Sequence, residues 1–178
     1  EPMNLYNPVK YILSLGGKRI RPVMMLMAYN MYREDVDKIL DPALALEIYH
    51  NFTLLHDDLM DNADVRRGKP TVHKRWDANT AILSGDVMLS LADVYMSRVD
   101  DEYFRKVITT FHRTSIEIAE GQQYDMDFET RSDVTEAEYV EMMRLKTSVL
   151  LACALKIGAI LGGASEDDAA HLYRLGEC

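Results

Sequence analysis

The chain has 178 residues, 48% of them hydrophobic, which is enough for one domain with a substantial core and too few to suggest two. A formal net charge of −9 argues against a nucleic-acid or anionic-membrane surface, so a local cluster of cations reads as an anion site rather than part of a general field. Two cysteines, Cys153 and Cys178, give neither a disulfide framework nor zinc spacing, which fits a reducing, cytoplasmic setting.

No signal peptide or membrane span is legible; the apolar stretch 149–161 is interrupted by Lys156 and is too short to cross a bilayer. Five prolines and nine glycines punctuate the chain, and between them apolar residues recur at i, i+3 and i+4, which predicts an all-α protein. A first helix over 8–15 ends at Gly16-Gly17, and Lys18-Arg19-Ile20-Arg21-Pro22 opens the next, with Pro22 near its first position. Residues 33–40 read as a polar connection. Asp41-Pro42 then supplies a cap and first position for a long central helix, apolar around most of its circumference. Periodicity fails over 62–73, a charged loop, and further helices are expected over 79–98, 101–123, 135–161 and 166–175. Thr135-Glu136-Ala137-Glu138 forms a capping box for the third of these. The acidic groups Asp125/Asp127/Glu129 and Glu166-Asp167-Asp168 read as surface or cap charges.

The central helix ends in Leu54-Leu55-His56-Asp57-Asp58-Leu59-Met60-Asp61. Asp57 and Asp61 fall one turn apart on one face, with Cβ atoms ~5–6 Å from each other. An Asp-Asp-x-x-Asp run is more often a solvated face than a site, but this one continues a buried helix, where carboxylates line clefts. The pair repels itself and lacks local compensation unless a divalent cation or a proton sits between them; hard oxygen ligands suit Mg²⁺. His50, seven residues before Asp57 and so about 20° short of two turns, falls on the same stripe. Lys18, Arg19 and Arg21 behind a Gly-Gly break, and Arg66-Arg67 in the loop, supply cations that grip phosphate oxygens. Together these residues imply a cleft for diphosphates bridged to the carboxylates by Mg²⁺, and metal-assisted departure or transfer of a phosphate-containing group.

Six motifs in order, Gly16-Gly17-Lys18-Arg19-Ile20-Arg21-Pro22, Leu55-His56-Asp57-Asp58-Leu59-Met60-Asp61, Arg66-Arg67-Gly68-Lys69-Pro70-Thr71-Val72-His73, Gly85-Asp86, Gly121-Gln122-x-x-Asp125 and Lys146-Thr147, resemble those of the trans-type isoprenyl diphosphate synthases of the polyprenyl synthetase family. The resemblance covers almost the whole chain. It implies antiparallel helices around a deep central cavity, usually in a homodimer, and a reaction that condenses isopentenyl diphosphate with an allylic diphosphate.

By the same resemblance, Lys18, Arg21, His50 and Arg67 would hold the diphosphate of isopentenyl diphosphate. Asp57 and Asp61 would bind Mg²⁺ on the allylic diphosphate with Asp58 supporting, while Arg66, Lys146 and Thr147 contact the allylic substrate. Gln122 and Asp125 would border the same cavity. Tyr49, Phe52 and Thr53, one or two turns deeper, would form its floor; a bulky Phe52 beside a small Thr53 suggests farnesyl or geranylgeranyl diphosphate as product. The family's second Asp-rich motif, beyond the region that Leu172-Tyr173-Arg174-Leu175-Gly176 resembles, is absent from this sequence, so residues 1–178 are expected to form one domain incomplete at the C-terminus and also at the N-terminus, inactive alone. The alternatives are a non-catalytic regulatory subunit of the same fold, a terpene cyclase, disfavoured by the two cation pairs, and a dimetal bundle, for which Glu47-x-x-His50 has no second copy.

Overall fold

Helix formation follows the apolar periodicity closely enough that α-helices account for nearly all regular structure. A computed structural model describes residues 2–178. The chain divides into two compact units, one made of the segment ending at Arg19 with Leu44–Arg98, the other of Ile20–Ala43 with Val99–Cys178.

In the first unit, α1 (Met3–Ser14) packs on α5 (Ala78–Met96), and the hydroxyl of Ser84 donates to the carbonyl of Leu5 at 2.9 Å. The helix α1 starts earlier than its sequence suggests. Pro8 lies inside it, buried, because its apolar ring contributes to packing that offsets one missing hydrogen bond. All but the first turn of α3 (Leu40–Met60) belongs here, with Ala45, Leu46, Tyr49 and Leu55 buried. After α3, the expected loop contains a small hairpin: β1 (Val65–Arg66) pairs antiparallel with β2 (Lys69–Pro70), Val65 opposite Pro70 and Arg66 opposite Lys69. Its two central residues, Arg67 and Gly68, have φ of 53° and 76°, the pair of positive values that a type I′ turn requires. A short α4 (Val72–Arg75) follows, and the Arg75 guanidinium lies 4.4 Å from the centre of the Tyr11 ring.

In the second unit, α8 (Val149–Gly162) is the core element. Eleven of its fourteen residues are buried, and it packs on α2 (Ile20–Asn30), α6 (Asp101–Phe128) and α9 (Glu166–Glu177). Its alanines and glycines allow that many neighbours to approach closely. The helix α2 begins at Ile20, so Pro22 falls at its third position; Pro42 does the same in α3, after a 3₁₀ turn over Val36–Ile39. Neither proline disturbs its helix, because the first four N–H groups of a helix have no intrahelical partner.

The expected helix over 135–161 is divided: α7 (Glu136–Met143) passes through a π-turn at Arg144–Ser148 into α8. The continuous run Glu136–Gly162 is long and apolar enough to cross a membrane by length and composition, yet 67% of its most apolar window is buried, as befits a core helix. The capping box forms as expected, the Thr135 hydroxyl accepting from Glu138 N and the Glu138 carboxylate from Thr135 N. The helix α6 runs past 123 to Phe128, with Gln123 donating to Asp127 one turn on, so Asp125 stands on a helix face.

Candidate active site

The acidic end of α3 keeps its helical register past Met60, since Asp61 N donates to Asp57 O at 2.9 Å. Asp57 and Asp61 therefore lie one turn apart, as their spacing requires. Asp58 is buried, Asp57 half-buried and Asp61 exposed. The hairpin swings Arg66 onto this end: Nε donates to Asp58 Oδ1 at 2.9 Å and to Oδ2 at 3.0 Å, and Nη2 donates to Oδ1 at 2.6 Å. The same Nη2 lies 3.6 Å from Asp57 Oδ2. This corrects one expectation: the run of carboxylates has a local counter-cation in Arg66, so its repulsion does not depend on an external ion alone. The hydrogen bond to Asp58 raises the Arg66 pKa above its ordinary value, and the charges of Asp57 and Asp61 act in the same direction. Thr71 fixes the base of the hairpin by donating from its hydroxyl to Ala63 O at 2.7 Å.

Deeper on α3, Phe52 lies between two rings, with centroids 5.5 Å from Tyr49 and 4.8 Å from His56. Tyr49 is buried, while His50, Phe52 and Thr53 are half-buried. The Thr53 hydroxyl donates back to His50 O at 2.8 Å, a bond within the helix that points the side chain along its own backbone. The Gly85 motif acquires a steric reason. A Cβ at Gly85 would strike the His56 ring, so its place in α5 is what lets that imidazole pack there.

The Gly16–Gly17 turn carries a pair of arginines. Gly16, Gly17 and Arg19 all have positive φ, 82°, 146° and 54°, and α2 starts only after them, so Lys18 stands exposed on a turn rather than at a helix start. The Arg19 Nη1 donates to the carboxylate of Glu47, which is 7% exposed on α3, and Nη2 donates to Leu13 O at 3.1 Å. Asn51, fully buried, donates from Nδ2 to the same Glu47 oxygen at 2.9 Å and to Glu47 O at 2.8 Å. Arg67 donates to Gly16 O. Arg67 is exposed overall, and partial desolvation of its guanidinium, then the adjacent charge of Arg19, lowers its pKa below the ordinary value. The sequence offers Arg19 as one of the cations behind the Gly-Gly break and Glu47 only within Glu47-x-x-His50; nothing in it signals that the two pair. Arg21, half-buried, belongs to the second unit as the second residue of α2.

The remaining expected residues also lie in that unit. Lys146 and Thr147, both half-buried, occupy the π-turn, and Lys146 Nζ donates to Asp125 Oδ2 at 2.5 Å. Asp125 is thus half-buried and ion-paired, whereas Asp127 and Glu129 are exposed as expected. A Cβ at Gly121 would strike Lys146 N and Leu145 Cβ, so the glycine admits the widened backbone of the π-turn against α6. Gln122 Nε2 is buried there without a hydrogen bond.

Among the described residues, no three His, Cys, Asp or Glu side chains are grouped as a metal site would need. The donor set at the end of α3 still fits Mg²⁺ chemically. That ion is commonly held by one or two carboxylates, with water and substrate phosphate completing its octahedron.

Helices in this arrangement, bearing a paired-carboxylate face beside a double-arginine turn, define the class as the all-α isoprenoid synthase fold. The chain belongs to the polyprenyl synthetase family, whose model matches residues 2–178. It is 48% identical to a geranylgeranyl diphosphate synthase of Methanosarcina mazei, over 99% of this chain and 55% of that protein. It is 41% identical to a short chain isoprenyl diphosphate synthase of Methanocaldococcus jannaschii, over 92% of this chain and 50% of that protein. Among solved structures, a geranylgeranyl pyrophosphate synthase superposes with a TM-score of 0.97 at 52% identity, over 99% of this chain and 54% of that one. A geranylgeranyl pyrophosphate synthetase of Pyrococcus horikoshii gives 0.95 at 38%, over 99% and 54%. The chain spans about half the length of the curated relatives it matches.

Proposed function

We propose that the protein carrying this chain is a Mg²⁺-dependent trans-prenyltransferase that condenses isopentenyl diphosphate with an allylic diphosphate, giving farnesyl or geranylgeranyl diphosphate. The observation that carries this reading is the one-turn spacing of Asp57 and Asp61 beside the Arg66–Asp58 clamp, within a family whose similar members are named geranylgeranyl or short chain isoprenyl diphosphate synthases. Asp57 and Asp61 hold Mg²⁺, with Asp58 fixing the geometry of Arg66. Mg²⁺ held there would supply charge neutralisation for the departing allylic diphosphate.

The chain's own residues do the rest. Arg66, Lys146 and Thr147 bind the allylic diphosphate, and charge-assisted hydrogen bonds strengthen as the leaving group gains charge. Lys18, Arg21, His50 and Arg67 orient the diphosphate of isopentenyl diphosphate so that its double bond faces the allylic carbon. Carbon–oxygen cleavage releases diphosphate, the double bond of isopentenyl diphosphate attacks the allylic cation, and loss of a proton, taken by the released diphosphate, restores an alkene. Tyr49, Phe52 and Thr53 border the apolar space the product grows into and exclude water from the cation. A homodimer acting in the cytoplasm completes the reading.

The test is product analysis with radiolabelled isopentenyl diphosphate and each allylic primer, with Mg²⁺ or with excess chelator. Labelled prenyl diphosphates of fifteen or twenty carbons that vanish with chelator support the reading; no incorporation with any primer rejects the catalytic role and favours a non-catalytic subunit.

A further inference from the structure

The Arg19 and Arg67 side chains are an awkward pair to hold together. Both crowd the Gly17 backbone: a Cβ there would lie 3.0 Å from Arg67 Nη2 and 3.2 Å from Arg19 Nη1. Both residues have left-handed backbone, with φ of 54° and 53°, a conformation that is strained for an L-residue with a long side chain. The two like charges also repel, the charge of Arg19 lowering the Arg67 pKa. Such a conformation persists only where its surroundings over-determine it. The surroundings here are specific. Gly16 O accepts from both guanidiniums, Leu13 O accepts from Arg19, and the one carboxylate in the group is Glu47, buried in α3 and itself fixed by fully buried Asn51.

We propose that Glu47 is a positioning residue of the diphosphate site: it holds Arg19 across the Gly16–Gly17 turn, and Arg19 in turn braces Arg67 so that the remaining N–H groups of Arg67 present a fixed fork to isopentenyl diphosphate. The inference rests on the reading of Arg67 as a ligand of that diphosphate. Glu47 touches no substrate; it acts through two arginines. Its burial is what makes it effective. Away from water a carboxylate leaves its cation little freedom to seek another partner, whereas an exposed pair would interchange with solvent. The alternative is that Glu47 only offsets excess positive charge, and the two readings differ in sign. Removing a bystander negative charge raises the local positive potential and strengthens anion binding. Removing a brace loosens the fork and weakens it.

The experiment compares Glu47→Gln, Arg19→Asn and Arg67→Ala with the parent, using the complete protein, by steady-state kinetics and by equilibrium dialysis of radiolabelled isopentenyl diphosphate. Asparagine tolerates the left-handed backbone at position 19, so that variant removes the guanidinium and keeps the turn. Glu47→Gln and Arg19→Asn are each expected to raise the KM and dialysis Kd for isopentenyl diphosphate about tenfold, the scale on which partners of a ligating group act, and to leave kcat and the allylic KM within about twofold. Glu47→Asp, which keeps the charge on a shorter stem, recovers part of the loss. If Glu47→Gln does not fold, Arg19→Asn decides alone. An unchanged or lowered Kd in the folded variants overturns the positioning role. If Arg67→Ala itself leaves the Kd unchanged, the ligand assignment fails first; if Arg67→Ala weakens binding and the other two do not, only the role of Glu47 falls.

Discussion

Arg66 meets Asp58 as a fork, with Nε 2.9 Å and Nη2 2.6 Å from the same carboxylate oxygen, while Nη2 remains 3.6 Å from the neighbouring Asp57. One guanidinium thus answers two of the three carboxylates at the end of α3, and Asp58, 3% exposed, is committed to it. Replacing Asp58 by Asn keeps the shape and removes the charge. Hydrogen bonds to charged groups contribute about 1.5–3 kcal/mol, so Asp58→Asn should destabilise by about 2 kcal/mol in urea unfolding, read as a lower midpoint at unchanged slope. A change under 0.5 kcal/mol would mean that the pair is loosely held.

Asp57 and Asp61 present the opposite case. Asp61 is exposed and Asp57 half-buried, so neither is needed for folding in the way Asp58 is. Under the proposed function, Asp57→Ala or Asp61→Ala should abolish Mg²⁺-dependent condensation in the complete protein, with a loss of about 10³-fold or more in kcat, the scale of removing a group that stabilises a developing charge. Thermal melting should move little. Wild-type rates in either variant sink the metal assignment.

Gly121 shows how a motif glycine can act through its neighbour. A Cβ there would meet backbone on the π-turn that carries Lys146 and Thr147, and backbone cannot rotate away as a side-chain tip can. Gly121→Ala should therefore cost about 1–3 kcal/mol despite the higher helix propensity of alanine, the range for overpacking a tight contact. Because the turn must yield, it should also weaken the allylic substrate more than isopentenyl diphosphate. A stabilised variant would show that the π-turn relaxes without strain.

These cases mark where the sequence runs out. Periodicity located the long helices, and the Thr135/Glu138 capping box was legible because all its members lie within four residues. The spacing of Asp57 and Asp61 needed only helical arithmetic. The hairpin was illegible, since two-residue strands have no period and the Arg67–Gly68 turn lies within a run of charges. The π-turn was equally hidden, because Arg144-Leu145-Lys146-Thr147-Ser148 contains no proline or glycine to mark a break in the helix. Above all, the partners were out of reach: Arg66 with Asp58, Arg19 with Glu47 and Lys146 with Asp125 pair across 8, 28 and 21 residues. Each couples a cation marked by its motif to a carboxylate, and only the fold reveals which carboxylate it is.

The two cysteines should behave oppositely. Cys153 is fully buried in α8, and burial, opposed only in part by its hydrogen bond to Thr114 and the charge of Lys156, pushes its thiol up to about 12 from an ordinary value near 9. Since the thiolate is the nucleophile, raising the pH from 7 to 9 leaves Cys153 almost wholly protonated as well as inaccessible. Cys178 is exposed. Iodoacetamide on the folded protein at pH 8.5 should modify Cys178 and leave Cys153 intact, and 6 M guanidinium should open Cys153 to the same reagent; peptide mapping by mass spectrometry distinguishes the two. Native labelling of Cys153 on the timescale of Cys178 would require α8 to leave the core readily, contrary to its eleven buried positions.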